Sequence, residues 1–507
     1  MSNRVELKKV ASVPLLFLLL LVAMVATRWN MSVAGSPGTL EVPSSKYPTI
    51  QDAVNNAGSG DLIFVHDGIY SENLVINKSV SLVGEDRALT VIYGSGASPP
   101  NYVINVIASG VTIKDFTVRA SSSIQSPVTV SSAGNILENN IIEEGYNGIQ
   151  LFSSDNIVSN NTIHNNQYAG LYLYASSHNV FSDNLIVNNI VAGVELHQSA
   201  NNVFSGNTIY NNTDGLTLSS STSNNVFYHN NFNNTVQLSS DSMNSTNVWS
   251  LNGEGNYWSD YTGQDSNNDG IGNIPYSITD TEGPDGYPLM GPFHDLEVAL
   301  TNQKYGVNLI SNSSVSGLRF AFGQDTGNKI VLFNVAGGGD EVGFGRIMIP
   351  LSLMDTPFII LGGQGEITPT VLNASNATNV YLYFTWVNSN QTISIISSKA
   401  LHLYNDLLGE YANLLADLNN LNVTQSSFLA NYSTLLGNLT DLESRYFALN
   451  SSYYSHLSDY SKNVKNLQNL MYVFAATTAI FLITTVYLSK RANTSAKQKP
   501  KGSEKED

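Results

Sequence analysis

Between residues 135 and 234 apolar and polar positions recur in rows of 21 to 23 residues. The rows open on Asn135-Ile136-Leu137, Asn156-Ile157-Val158, Asn179-Val180-Phe181, Asn202-Val203-Phe204 and Asn225-Val226-Phe227. A second Asn follows in each row, at Asn140, Asn161, Asn184, Asn207 and Asn230, and later a Gly, at Gly148, Gly170, Gly193 and Gly215. Each Gly precedes an alternating apolar pair such as Ile149 and Leu151. Every row therefore carries three short alternating segments, too short and too β-branched for helices. A fixed period of this length predicts a solenoid whose units cannot bury their apolar face alone. Coiling three strands per row stacks successive rows about 4.8 Å apart. Ile149, Leu171, Val194 and Leu216 then form one buried column, and Leu151, Leu173, Leu196 and Leu218 another. The second Asn of each row is expected to form a structural amide ladder along the axis, Asn also tolerating the left-handed backbone of a tight turn.

The pattern changes on both sides of the repeat. Ile50, Ala53, Val54 and Ala57 share one face of a short helix ended by Gly58 and Gly60, which predicts a cap over residues 46–60. Strands are expected at Leu62–Val65, Val80–Val83, Val91–Tyr93, Tyr102–Ile107 and Val111–Val118, so the β-helix should span residues 61–250 and end in a loop over 251–294. From 295 to 398, short alternating segments without a repeat predict an antiparallel β-sandwich. Residues 399–470 carry apolar positions at steps of four and three, including Leu407, Leu414, Leu421, Phe428, Leu435, Leu442 and Leu449. This seam predicts a left-handed coiled-coil stalk, which a lone helix cannot bury, so a homo-oligomer is expected. A helical hairpin turning near Gly437 is the rival arrangement.

Two apolar runs add a cellular address. Residues 1–34 place Arg4, Lys8 and Lys9 before an uncharged Leu-rich run, as in a signal peptide or an uncleaved signal anchor. Residues 471–489 have the length and apolarity of a transmembrane helix, and 490–507 form a basic tail expected in the cytoplasm. The chain is thus expected to be mainly β: a right-handed parallel β-helix, an antiparallel β-sandwich, a coiled-coil stalk and one membrane span. Its large N-terminal part lies outside the cell membrane. Outside the two ends lie 13 of the 23 Lys and Arg but 36 of the 40 Asp and Glu, which excludes nucleic acid as a natural partner. The chain has no Cys, so no disulfide supports it.

Candidate chemistry is sparse. Asp265, Asn267 and Asp269, followed by Gly270, fit the start of a calcium loop, with Tyr276 where a bidentate Glu would complete it. Asp260, Asp280 and Glu282 are the candidates for the missing carboxylate; the alternative is a turn without an ion. Residues two and four after each row's Gly should point outward: Gln150 and Phe152, Tyr172 and Tyr174, Glu195 and His197. Aromatic faces beside a carboxylate and an imidazole suit sugar rings. Glu195 and His197 are candidates for acid–base work, with Asp214 the only nearby partner for a glycosidase pair. An inert solvated face is the bland alternative.

The run YPTIQDAVNNAGSGDLIFVHDGIYSENLVINKSVSLVGED, the Asn rows and NYWSDYTGQDSNNDGIGNIPYSI resemble the NosD-type β-helix proteins of the pectin-lyase-like superfamily over residues 46–293. The segment after Pro292 resembles modules of archaeal surface proteins. The NosD resemblance implies the fold and, through that family, a part in copper-site maturation. Against copper, His164, His178, His197 and His229 fall at different places within their rows. Three functions follow: a membrane-anchored, non-enzymatic surface protein for adhesion, glycan binding or envelope structure; a surface polysaccharide hydrolase or lyase; or a copper-site maturation factor. Surface polysaccharide and envelope proteins are the expected partners besides the membrane.

Overall fold

The computed structural model describes residues 37–495 except 96–99, 220, 242–245, 279–281, 324–326, 338–341, 388–389, 398–403, 405, 415–427 and 458–463. The expected signal sequence over 1–34 lies outside the described residues, as do most of the basic tail and part of the stalk. The chain divides into two compact units, the first ending at Phe293 and the second beginning at His294, with residues 268–270 grouped with the second.

The first unit is a parallel β-helix. Three sheets of nine, nine and eight strands run along it, and successive strands of the chain visit them in turn. The first sheet runs from Thr39–Val42 to Val226–Tyr228, the second from Gly68–Ser71 to Tyr257–Trp258, and the third from Leu74–Ile76 to Val236–Ser240. Ile149, Leu171, Val194 and Leu216 stand in register, as do Leu151, Leu173, Leu196 and Leu218, and all are at most 1% exposed. In the later coils the core turns aromatic: Phe181, Phe204, Phe227 and Trp249 stack at 4.5, 4.9 and 4.7 Å between ring centroids.

The row Gly has a steric cause. A Cβ on Gly170 would lie 2.6 Å from a methyl of Ile186 and 2.8 Å from the carbonyl of Gly193, so only a residue without one lets adjacent coils close. The turn before each second Asn is a single left-handed residue: Asn139, Asn160, Asp183, Gly206 and His229 have φ between 55° and 69°. The ladder Asn itself serves burial. Asp115, at φ 65°, makes the same turn one coil earlier and splits the strand expected over Val111–Val118 into Thr112–Lys114 and Thr117–Arg119.

Three Asn ladders run through the coils. In the ladder of second Asn residues, the backbone N–H and Nδ2 of Asn161 both donate to Oδ1 of Asn184, at 3.0 and 3.1 Å, and the pattern continues through Asn207, Asn230 and Asn256. The row-opening Asn residues form a like series as far as Asn247. A third series joins Asn166, Asn189, Asn212 and Asn234. Each ladder delivers donors toward its C-terminal end, where an acceptor must close it. Glu282 accepts from Asn247, Asp285 from Asn256, and Gln237 from Asn234. Asp285 is fully buried and also accepts from the Trp258 indole and the Tyr287 N–H. Burial nevertheless holds its carboxyl above the usual carboxylate range.

The N-terminal end is closed by α1, Ile50–Asn56, whose Ile50, Ala53 and Val54 are buried. Thr49 caps it by accepting from Asp52 N–H, and the Glu72 carboxylate accepts from the Ile50 and Gln51 N–H groups.

The second unit contains two five-stranded antiparallel sheets. Val307, Leu309, Ile347 and Phe384 of one and Val331, Phe333, Ile360 and Ile395 of the other share a single apolar cluster. Phe293–Leu300, Gln303–Ser311 and Thr370–Val371 belong to the first of these sheets and Gly365–Ile367 to the second. Two helices follow, α2 (Phe428–Leu457) and α3 (Val464–Ser495). Gly437 lies inside α2, so no hairpin turns there. The Tyr446 ring lies 5.5 Å from Phe474 and 4.4 Å from Tyr404. One continuous helix would hold Tyr446 and Phe474 about 42 Å apart. Among the described residues no helix is long and apolar enough to cross a membrane. On α3, Tyr472, Val473, Ile480, Leu482, Ile483, Val486 and Tyr487 are exposed.

Candidate functional site: an aromatic cleft on the third sheet

Because side chains alternate across each strand, the residues between the buried columns of the third sheet face outward. Gln150 and Tyr172 stand in register, followed by Glu195, and one step along Tyr174 pairs with His197. Gln150, Tyr172, Tyr174 and His197 line an open cleft of about 470 Å³ with Phe152, Tyr146, Asn147 and Tyr168. One wall is the parallel pair Tyr146 and Tyr168, 5.3 Å apart with their planes 5° from parallel. The other is Phe152 and Tyr174, 6.5 Å apart. Tyr172 lies 5.5 Å from the His197 ring, near the middle. Tyr146, Phe152 and Tyr174 are exposed.

Tyr146, Asn147 and Tyr168 escaped the sequence reading because they precede the row Gly, where the chain turns onto the sheet. Reading Tyr146 and Tyr168 as the positions two before Gly148 and Gly170 would have found them.

Glu195 departs from expectation. Placed on the outer face by register, it is nevertheless only 3% exposed. Its Oε1 accepts from the Tyr168 hydroxyl at 3.2 Å and meets His197 Nε2 at 2.5 Å. Burial, reinforced by that carboxylate, pushes the Tyr168 phenol up to about 12, and burial with the Glu195 charge also raises Tyr172. Both phenols therefore stay neutral donors at physiological pH. Asp214 is not among the lining residues. Its Oδ2 accepts from Ser239 at 2.6 Å and Thr217 at 3.4 Å, and in register it stands opposite Ala192 rather than Glu195.

Among the described residues no three His, Cys, Asp or Glu gather around one point. Asp260 accepts from the Tyr276 hydroxyl at 3.0 and 3.2 Å. Asn273 Oδ1 accepts from the N–H and hydroxyl of Ser266, pinning the loop between Asp265 and Asn267. His164 is on the second sheet and His197 on the third, whereas His178 and His229 occupy left-handed turn positions. His164, His197 and His229 each meet their own carboxylate, at 3.2, 2.5 and 2.7 Å, from Glu143, Glu195 and Glu254.

The architecture defines a class: a parallel β-helix with an aromatic cleft across its third sheet. Residues 54–263 match the family model described as periplasmic copper-binding protein (NosD). A curated relative, a probable ABC transporter binding protein NosD of Stutzerimonas stutzeri, is 60% identical over 35 residues, 7% of this chain and 8% of that protein. The match thus spans under a tenth of the relative's length. Among solved structures, a carrot pectin methylesterase is 13% identical over 44% of this chain and 84% of its own, with a TM-score of 0.32. The A-module of an Azotobacter vinelandii mannuronan C-5 epimerase is 18% identical over 41% and 71%, with a TM-score of 0.31. The residues present do not fit the copper in the family description: the chain has no Cys, the β-helix histidines are dispersed, and His164, His197 and His229 each meet a carboxylate of their own.

Proposed function

We propose that this is an exported, membrane-held β-helix protein that binds glycan chains on the cleft of the third sheet without breaking them. The observation that carries the reading is the two aromatic pairs, Tyr146 with Tyr168 and Phe152 with Tyr174, which line one cleft together with amide and hydroxyl groups. Sugar rings have apolar faces and hydroxyl edges, and such walls match the first while Asn147, Gln150 and the phenols match the second. Binding is favoured over hydrolysis because Glu195 is covered and Asp214 is committed elsewhere, so no carboxylate pair faces a glycosidic bond.

The experiment is a binding and product assay of the purified chain against a polysaccharide panel. Tyr172→Ala and Tyr174→Ala should each weaken binding about tenfold, the loss of one well-placed aromatic contact of about 1.4 kcal/mol. No new reducing ends should form. Oligosaccharide release that Glu195→Gln abolishes would replace this reading with the enzymatic one.

For membrane attachment the support is α3. Its exposed aliphatic side chains accompany threonines whose hydroxyls bond back to helix carbonyls, Thr477 to Val473 and Thr484 to Ile480, which removes polar groups from an apolar surrounding. Self-association through α2 belongs to the same proposal, because Leu435 and Leu442 of the seam are exposed.

A further inference from the structure

Resting on the glycan-binding reading, we infer that the cleft takes an uncharged pyranose polymer and excludes polyuronates. The first observation is a gap in the chain. From Ala120 to Gln303 there is no Lys or Arg, and this span includes every residue lining the cleft. The last cation before the gap, Arg119, is committed: its guanidinium holds Glu143 at 2.5 and 2.8 Å and lies 3.6 Å from Glu144.

The second observation is what charge the cleft does have. Glu195, with its side chain 5% exposed, underlies the Tyr168–Tyr172–His197 floor. The only titratable base in the lining, His197, already meets that carboxylate. Glu138, Glu143, Glu144, Asp155 and Asp183 belong to the same few coils, so the local field is negative.

A uronate chain brings one carboxylate per sugar. Carboxylates are taken from water when bidentate Arg, Lys or converging N–H groups replace their hydration. This cleft offers phenols, amides and ring faces instead, over a buried negative charge. A neutral polymer meets the same surface without an unpaired ion. The aromatic walls supply contact, the phenols of Tyr168 and Tyr172 stay protonated, and Glu195 acts as a specificity-determining group that repels anionic sugars.

The test measures affinities of the full chain for neutral glucan, mannan and xylan beside polygalacturonate and alginate, at low and moderate salt. The expected result is a neutral polymer bound at least about tenfold tighter than either polyuronate at low salt, with the gap narrowing as salt screens the field. Gln150→Lys places a cation in the cleft and should raise polyuronate affinity about tenfold at low salt. That gain does not depend on losing a fold. A polyuronate bound as tightly as the best neutral polymer overturns this inference and leaves the cleft a glycan site. So does a Gln150→Lys chain that keeps its neutral ligand but gains nothing. Binding to none of the polymers sinks the underlying reading.

Discussion

The ladder of second Asn residues makes a sharp prediction because both ends of each amide are used. Asn184 is 1% exposed. Its Oδ1 accepts from the N–H and Nδ2 of Asn161 at 3.0 and 3.1 Å, and its Nδ2 donates to the Val158 carbonyl at 2.8 Å and Asn207 Oδ1 at 2.9 Å. Asn184→Asp keeps the shape but sets an oxygen opposite two acceptors. Two hydrogen bonds are lost at about 1 kcal/mol each, an acceptor is left unmatched at a further ~1–3 kcal/mol, and a charge is buried. The expected loss is at least about 4 kcal/mol at pH 7. Asn184→Ala removes all four bonds at about 1 kcal/mol each and leaves the Asn161 N–H without its acceptor, for about 5 kcal/mol or more, so both variants should be strongly destabilised at pH 7. Acid separates them. A carboxyl there has its folded pKa raised, so its penalty is full above that pKa and shrinks as pH falls through it toward about 3.9. Urea unfolding with hydrogen exchange of the coils around Asn161 and Asn207 measures this. An Asp variant within about 1 kcal/mol of wild type at pH 7, or one whose penalty does not shrink in acid, would refute the donor–acceptor polarity of the ladder.

Two other expectations follow. Burial lowers the His294 imidazole from its ordinary value to about 4, so the folded second unit holds it neutral while the unfolded chain protonates near 6.5. Stability should be complete above pH 6.5 and fall by up to about 3 kcal/mol as pH drops through that window. His294→Gln should flatten the acid limb of the melting curve, and an unchanged limb rejects the assignment. Calcium at Asp265, Asn267 and Asp269 is proposed on the spacing of the loop; a chelator should then lower the melting temperature, and no shift removes the ion.

Much of the β-helix was legible because its period is a property of the chain. The columns through Leu171 and Leu173 can be read by counting, since register in a parallel coil repeats what the row already contains. The third ladder, Asn166, Asn189, Asn212 and Asn234, was equally countable, although the row pattern had drawn attention only to the first two Asn positions. The early coils were less legible because irregular row lengths hide turns such as the one at Asp115.

The candidate site was legible as a face, not as an environment. Alternation placed Tyr172, Tyr174, Glu195 and His197 on one side. Only the path of the turn before the row Gly brought Tyr168 over Glu195 and made an expected exposed carboxylate a buried one. The ladder ends are similar. Nothing in the row pattern shows that the donors of Asn247 and Asn256 need Glu282 and Asp285, which lie far along an irregular loop. Repetition along the chain determined the coil, its core columns and its outward positions, because each row meets a copy of itself. What covers a side chain, terminates a ladder or brings Phe474 against Tyr446 depends on contacts between unlike segments, and those only the folded molecule decides.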